Sequence, residues 1–314
     1  MHTIDYVYRF DPNRPDAKAP PADAESARRA LEEGNCTFAL WMAQCQSAAQ
    51  SGGAGPPHVI NCGAQEVGLG QQAGGVPKPA PFGVVVACSD ARVPTEMAFG
   101  QGLNALFVVR VAGNVLGDVC AGSVDFAVAN LDSVRALMVL GHSGCGAVTG
   151  AVDAYLEPAR MRSAAVTAGL RAVLEKIFVS VREAAGGLKA AWGAEASRRP
   201  GYRAALVESA VCLNAAQAAY GLRQDMGQTG RRDIGVLFGV YNLRTSQVCM
   251  PNNPHAPAAQ QQAHLAPAPQ GPEGFHVLAK RMAEFLAPYA DRTPDAAHEG
   301  ASPPPAGRVH PYKA

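Results

Sequence analysis

Three short apolar runs punctuate the middle of the chain: Phe82–Ala87, Leu106–Val111 and Ala136–Leu140. None shows the two-residue alternation of a strand with one wet face. Near-continuous runs of this length predict strands buried on both sides of a parallel sheet. A fourth strand is predicted over Arg232–Tyr241. Between and beyond these runs the apolar period changes to that of a helix. Val119–Leu131 predicts a small-residue helix, and residues 151–224 read as helical throughout. Leu170, Val173, Leu174 and Ile177 share one face there, and Leu206, Ala210, Leu213 and Ala216 another. Breaks are expected around Ala185–Gly187 and near Pro200–Gly201. Strands alternating with helices predict βαβ units, and so an α/β fold around a central parallel sheet.

The flanks carry weaker patterns. Residues 1–25 hold Pro12, Pro15, Pro20 and Pro21 and alternating Tyr6, Tyr8 and Phe10, which predicts an extended arm. Asp23 or Ser26 can cap a helix running to about Gly34, with the pattern resuming over 37–50. Residues 51–81 are dense in Gly, Pro and Gln and predict a loop, longer than most in a compact domain. After the main domain, residues 26–250, a Pro/Ala/Gln-rich linker precedes one amphipathic helix over Glu273–Leu286 and a disordered tail, together residues 251–314.

Composition narrows the class. A chain of 314 residues that is 48% apolar can bury a sizeable core, and a net charge of +1 argues against nucleic acid as a partner. No apolar run is long enough to span a membrane, and the first thirty residues are too charged for a signal-peptide core. Eight irregularly spaced cysteines do not read as a disulfide framework in a chain this long. Their use as thiols favours a reducing compartment, so a cytoplasmic protein is expected.

The candidate chemistry sits just past the ends of two predicted strands. Cys88-Ser89-Asp90-Ala91-Arg92 follows the first, and Gly141-His142-Ser143-Gly144-Cys145-Gly146 follows the third. The carboxyl ends of parallel strands line the crevice where ligands bind. Two thiols and one imidazole in that crevice suit Zn²⁺ and leave a fourth tetrahedral position open, as in zinc sites that activate water. Cys145 falls in the opening turn of a helix, whose dipole favours the thiolate. Asp90 supplies a carboxylate that can accept a hydrogen bond from water, and Arg92 a planar fork that keeps it ionised and aimed. The remaining cysteines lack such context and read as structural. His58, His255, His264, His276, His298 and His310 lie in loops, linker or tail and receive no role.

These motifs resemble the β-class carbonic anhydrases. The similarity extends through Cys88–Pro94, Phe107–Asn114 and Leu140–Val148, and more loosely to Leu31–Phe38 and Gly239–Val248, covering roughly residues 26–250. The resemblance implies a four-stranded parallel core with a further edge strand, and a homodimer or dimer of dimers. It implies zinc on Cys88, His142 and Cys145, with Asp90 and Arg92 as the catalytic pair. Phe107, Ala112 and Gly146 would line a pocket for CO₂ and bicarbonate. A Gln ahead of the first core strand would reach the substrate, with Gln71 and Gln72 as candidates. Departures from the family pattern are Val111 for Asn, Phe126 for Tyr, and Asn242 and Ser246 for Asp and Gly. Val85 stands where a subgroup that binds inhibitory bicarbonate has Trp. The implied activity is reversible hydration of CO₂. The same residues also suit hydrolysis of carbonyl sulfide or carbon disulfide, or a non-catalytic zinc-stabilised module in a bicarbonate-handling assembly.

Overall fold

The strand β3 (Gly83–Ala87) explains why its sequence never alternates. It lies inside a sheet, flanked in parallel by β4 (Leu106–Arg110) on one side and β5 (Ala136–His142) on the other. Val84 and Val86 enter a core on one face with Leu137 and Val139, while Val85 and Ala87 enter a second core with Met138 and Leu140. Both faces are dry, so every position is apolar. β6 (Gly235–Tyr241) pairs in parallel with β5 and completes four parallel strands. The short antiparallel strands β7 (Val248–Cys249) and β8 (Ala266–Pro267) both pair with β6. The α/β reading with a parallel core therefore stands. This description, from a computed structural model, covers residues 4–10, 19–62, 78–161, 167–250 and 264–292.

Helices cover both faces. α1 (Ala24–Ser51) and the one-turn α2 (Thr95–Ala98) lie on the face of Val85 and Met138. The opposite face carries α3 (Asp118–Asn130), α4 (Gly146–Leu156), α5 (Ala168–Trp192), α6 (Tyr202–Thr229) and α7 (Pro272–Leu286). Asp23 caps α1 through a reciprocal pair of hydrogen bonds with Ser26.

The sequence reading needs correction at four places. α1 runs through Gly34 without a break, because that glycine lets the helix touch another backbone. A Cβ there would lie 1.8 Å from the Phe99 carbonyl oxygen. α5 likewise runs through Ala185–Gly187, and a Cβ on Gly187 would lie 2.8 Å from the Ala279 carbonyl carbon of α7. Residues 51–81 are not all loop: β2 (His58–Cys62) pairs in parallel with β1 (Tyr6–Phe10), which draws part of the extended arm into a two-stranded sheet. The linker likewise contributes β8. Gln71, Gln72 and the predicted disordered tail beyond residue 292 lie outside the described residues.

Candidate metal centre

The sheet delivers its ligands by register. Ala87, the last residue of β3, pairs with Leu140 of β5, which runs on to His142, so Cys88 and His142 emerge at neighbouring strand ends one register position apart. Beyond His142 the chain turns through Gly144 at φ +60, a left-handed conformation that glycine adopts without strain, and reaches Cys145 at the N-cap of α4. The Sγ atoms of Cys88 and Cys145 are 4.0 Å apart. One ligand atom from each of Cys88, His142 and Cys145 falls within 4.8 Å of the other two, and all three residues are buried.

The donor set fits a metal. Nδ1 of His142 lies 3.1 Å from the Ser143 carbonyl, which can only accept, so Nδ1 carries the proton and Nε2 presents a lone pair. That Nε2 is buried without a hydrogen-bond partner, a costly arrangement unless something binds there. The two sulfurs divide one proton unequally. Hydrogen bonding from Cys145 pulls the Cys88 thiol down, with further help from His142, whereas Cys145 is pushed up by Cys88 and by burial. A cation between the sulfurs would replace the shared proton and hold both as thiolates.

Asp90 and Arg92 stand beside this cluster. Arg92 donates Nε to Asp90 Oδ1 at 2.9 Å and Nη2 to Oδ2 at 2.6 Å, and its backbone N–H also reaches Oδ1 at 2.9 Å. This fork holds the Asp90 carboxyl far below the usual carboxylate range, against the opposing effect of burial. Asp90 Oδ2 lies 3.8 Å from His142 Nε2, so the ionised carboxylate looks onto the partnerless nitrogen.

A supporting layer fixes these groups, and it includes Arg110, which the sequence already suggests as a structural arginine under the site. Arg110 donates to the carbonyls of Cys88 and Asp90, tying the Cys88–Arg92 turn to the end of β4. The Gly113 N–H donates to Cys88 Sγ at 3.3 Å, and Asn214 of α6 donates to the Gly113 carbonyl. Glu208, also on α6, accepts from the Gly144 N–H at 3.1 Å. The Leu243 N–H donates to Ser143 Oγ. The available signal was polar side chains, Glu208 and Asn214, interrupting an otherwise apolar helix face.

The three pocket candidates lie on different elements. Ala112 precedes Gly113 in the turn after β4, and Gly146 follows Cys145 with open space where a Cβ would stand. Phe107 pairs with Val84, four residues before Cys88, and packs half-buried against the same sheet face. Of the departures, Ser246 adopts φ +60, which explains why a glycine suits that turn, and Asn242 accepts from the Arg244 N–H. Phe126 is 59% exposed on α3.

The carbonic anhydrase family model matches residues 83–247, just over half of the chain. Carbonic anhydrase 2 of Mycobacterium tuberculosis is 46% identical over 74 residues, 24% of this chain and 35% of that protein. The carbonic anhydrase of Mycolicibacterium smegmatis is 46% identical over 77 residues, 24% of this chain and 37% of that one. These matches thus span about a third of the relatives' length. Among solved structures, the β-carbonic anhydrase CafA of Aspergillus fumigatus aligns with a TM-score of 0.46 at 18% identity, covering 65% of this chain and 83% of that one. The chain belongs to the β-class carbonic anhydrase family. Among the described residues no helix is long and apolar enough to cross a membrane.

Proposed function

We propose that the chain is a zinc-dependent carbonic anhydrase that interconverts CO₂ with bicarbonate and a proton. Cys88, His142 and Cys145 are the zinc ligands in this reading. A zinc ion held there would supply Lewis acidity sufficient to make water a nucleophile near neutral pH. Asp90 accepts a hydrogen bond from the attacking water and turns its lone pair toward the substrate carbon. Arg92 keeps Asp90 ionised and prevents it from rotating. Ala112 and Gly146 leave the approach free of bulky side chains, and Phe107 adds apolar surface from β4. A linear, uncharged substrate suits such walls.

The observation that carries this reading is the forked Asp90–Arg92 pair beside His142 Nε2. A purely structural zinc has no use for it and ordinarily takes four protein ligands. The chain acts as a homodimer or dimer of dimers, supported by the half-buried edge strand β4 and by Val119 and Phe126 standing exposed on α3. Residues 26–250 form the catalytic unit, and the need for free thiols supports a cytoplasmic location. The test is stopped-flow CO₂ hydration by protein of known zinc content at mildly alkaline pH. Rapid turnover proportional to zinc is expected; one zinc per chain without turnover would refute the assignment.

A further inference from the structure

The neutral imidazole of His142 carries one ring proton, and two acceptors compete for it. The Ser143 carbonyl lies 3.1 Å from Nδ1, and the Asp90 carboxylate lies 3.8 Å from Nε2. A metal needs the Nε2 lone pair, so the proton must stay on Nδ1. At these distances the carbonyl wins, because 3.8 Å is too long for a hydrogen bond. At equal distances the ionised carboxylate would win instead. The placing of one neutral carbonyl therefore decides which nitrogen His142 offers.

That carbonyl is held from two directions. Its own peptide donates the Gly144 N–H to Glu208. On the other side Ser143 is fixed to the end of β6. Its N–H donates to the Tyr241 carbonyl at 3.0 Å, and its Oγ accepts from the Leu243 N–H at 3.0 Å. Leu243 lies in a turn that closes on itself, with the Asn242 N–H on the Gln247 carbonyl and the Ser246 N–H on the Asn242 carbonyl. Ser246 stands there at φ +60, a left-handed conformation that is costly for a residue with a Cβ. Such a conformation persists only where its neighbours over-determine it.

Asn35 of α1 supplies that constraint. It is fully buried; Nδ2 donates to the Ser246 carbonyl at 3.0 Å, and Oδ1 accepts from the Val248 N–H at 2.7 Å. One amide thus clamps the turn on both sides of Gln247. Its second Nδ2 bond, to the Ala98 carbonyl at 2.7 Å, ties the clamp to α2, just beyond the turn that carries Asp90 and Arg92. Asn35 itself stands outside residues 83–247, the stretch that the family model matches.

We propose that Ser143 is a positioning residue for the metal centre, and that Asn35, through the turn after β6, holds it in place. The two act in series on one carbonyl. The proposal rests on His142 being a metal ligand, but it concerns the tautomer of the ring before any metal arrives.

The test uses the full chain labelled with ¹⁵N in histidine. NMR reads the His142 tautomer before zinc is added, and competition with a chelator reads zinc affinity afterwards. The His142 signals are those lost in His142→Gln. Wild type should show the Nδ1–H tautomer alone. Ser143→Ala, which leaves the Leu243 N–H unheld, should show a mixture with the Nε2–H form and bind zinc about tenfold more weakly. Ser143→Thr, which keeps a hydroxyl acceptor, should restore both. Asn35→Ala should reproduce the mixture, and the double variant should bind zinc no more weakly than the weaker single one, because both act through the same carbonyl. If circular dichroism shows Asn35→Ala unfolded, Asn35→Asp, which keeps the acceptor for Val248, replaces it. A pure Nδ1–H tautomer in Ser143→Ala would overturn the proposal. So would additive losses in the double variant, or an Asn35 variant that loses stability while tautomer and zinc affinity stay as in wild type. A wild-type chain that takes up no zinc would refute the proposed function alone, since the variants' tautomers are read without metal.

Discussion

Among the described residues two histidines, His142 and His58, are buried, and each has an Nε2 with no hydrogen-bond partner. Their surroundings make them opposites. His142 ends a central strand beside two sulfurs and an ionised carboxylate, with Nδ1 fixed on a carbonyl. His58, on β2, is enclosed by rings: Trp41 at 4.9 Å, Tyr6 at 5.0 Å and Phe38 at 6.1 Å between centroids. The first environment supplies soft donors and negative charge, which attract a cation. The second supplies apolar contact and repels charge by desolvation. Burial of an imidazole therefore says little about its role, whereas the chemistry of what faces its bare nitrogen says a great deal.

The sharpest break of this comparison removes one sulfur. Cys145→Ser should lose zinc altogether, read as metal per chain after dialysis, and all activity with it. His58→Gln should retain a full complement of zinc. Retention of zinc by Cys145→Ser, or its loss from His58→Gln, would show that the two sites are not separate in the way their neighbours imply. Next in size is Asp90→Asn, which keeps the ligands and removes the charge. Zinc should remain while turnover falls about a hundredfold or more, the scale of general acid–base assistance. Near-normal turnover in that variant would remove Asp90 from the chemistry. Arg92→Lys should fall between, because an ammonium group cannot reproduce the fork.

The contrast between the histidines was half legible in the sequence. His142 stood out because its spacing to Cys145, and its place after an apolar run, are local features. So were the buried strands, since a residue that meets core on both faces is apolar whatever its partners. His58 was read as a loop residue because its strand is five residues long in a stretch dominated by Gly, Pro and Gln. Its pairing partner, Tyr6–Phe10, lies some fifty residues away. Gly34 and Gly187 misled for a related reason. A glycine in a helix is an ordinary stop signal, but here each marks a place where another backbone comes too close for a Cβ, and that neighbour is distant in sequence. Asn214 and Glu208 were unreadable as site residues on the same account, as their bonds reach 101 and 64 residues along the chain.

Glu208 offers a finer probe of what makes the His142 environment. Its carboxylate holds the Gly144 N–H, which lies between two of the three proposed ligands. Residues that orient metal ligands without touching the metal typically contribute about ten- to a hundredfold in affinity. Glu208→Ala should weaken zinc by roughly tenfold within that range, measured by competition with a chromophoric chelator. Glu208→Gln, which keeps a carbonyl acceptor, should recover most of the loss. If both variants bind zinc as tightly as wild type, the turn is rigid without this anchor.

The smallest expected effect belongs to His58. Burial holds its pKa below the ordinary imidazole value, so the folded chain keeps it neutral where the unfolded chain would protonate it. Below about pH 6.5 the unfolded state binds more protons, and stability must fall as pH drops through that value. The loss should be local to β1, β2 and the start of the loop, because His58 touches Tyr6, Phe38 and Trp41 rather than the central sheet. Trp41 provides the readout. In a Trp192→Phe background its fluorescence should change between pH 7.5 and 5.5, as the imidazolium forms and the cluster of rings loosens. His58→Phe should flatten that profile while leaving zinc content unchanged across the same range. A wild-type profile already flat to pH 5.5 would mean that the rings hold the neutral imidazole more firmly than desolvation alone implies.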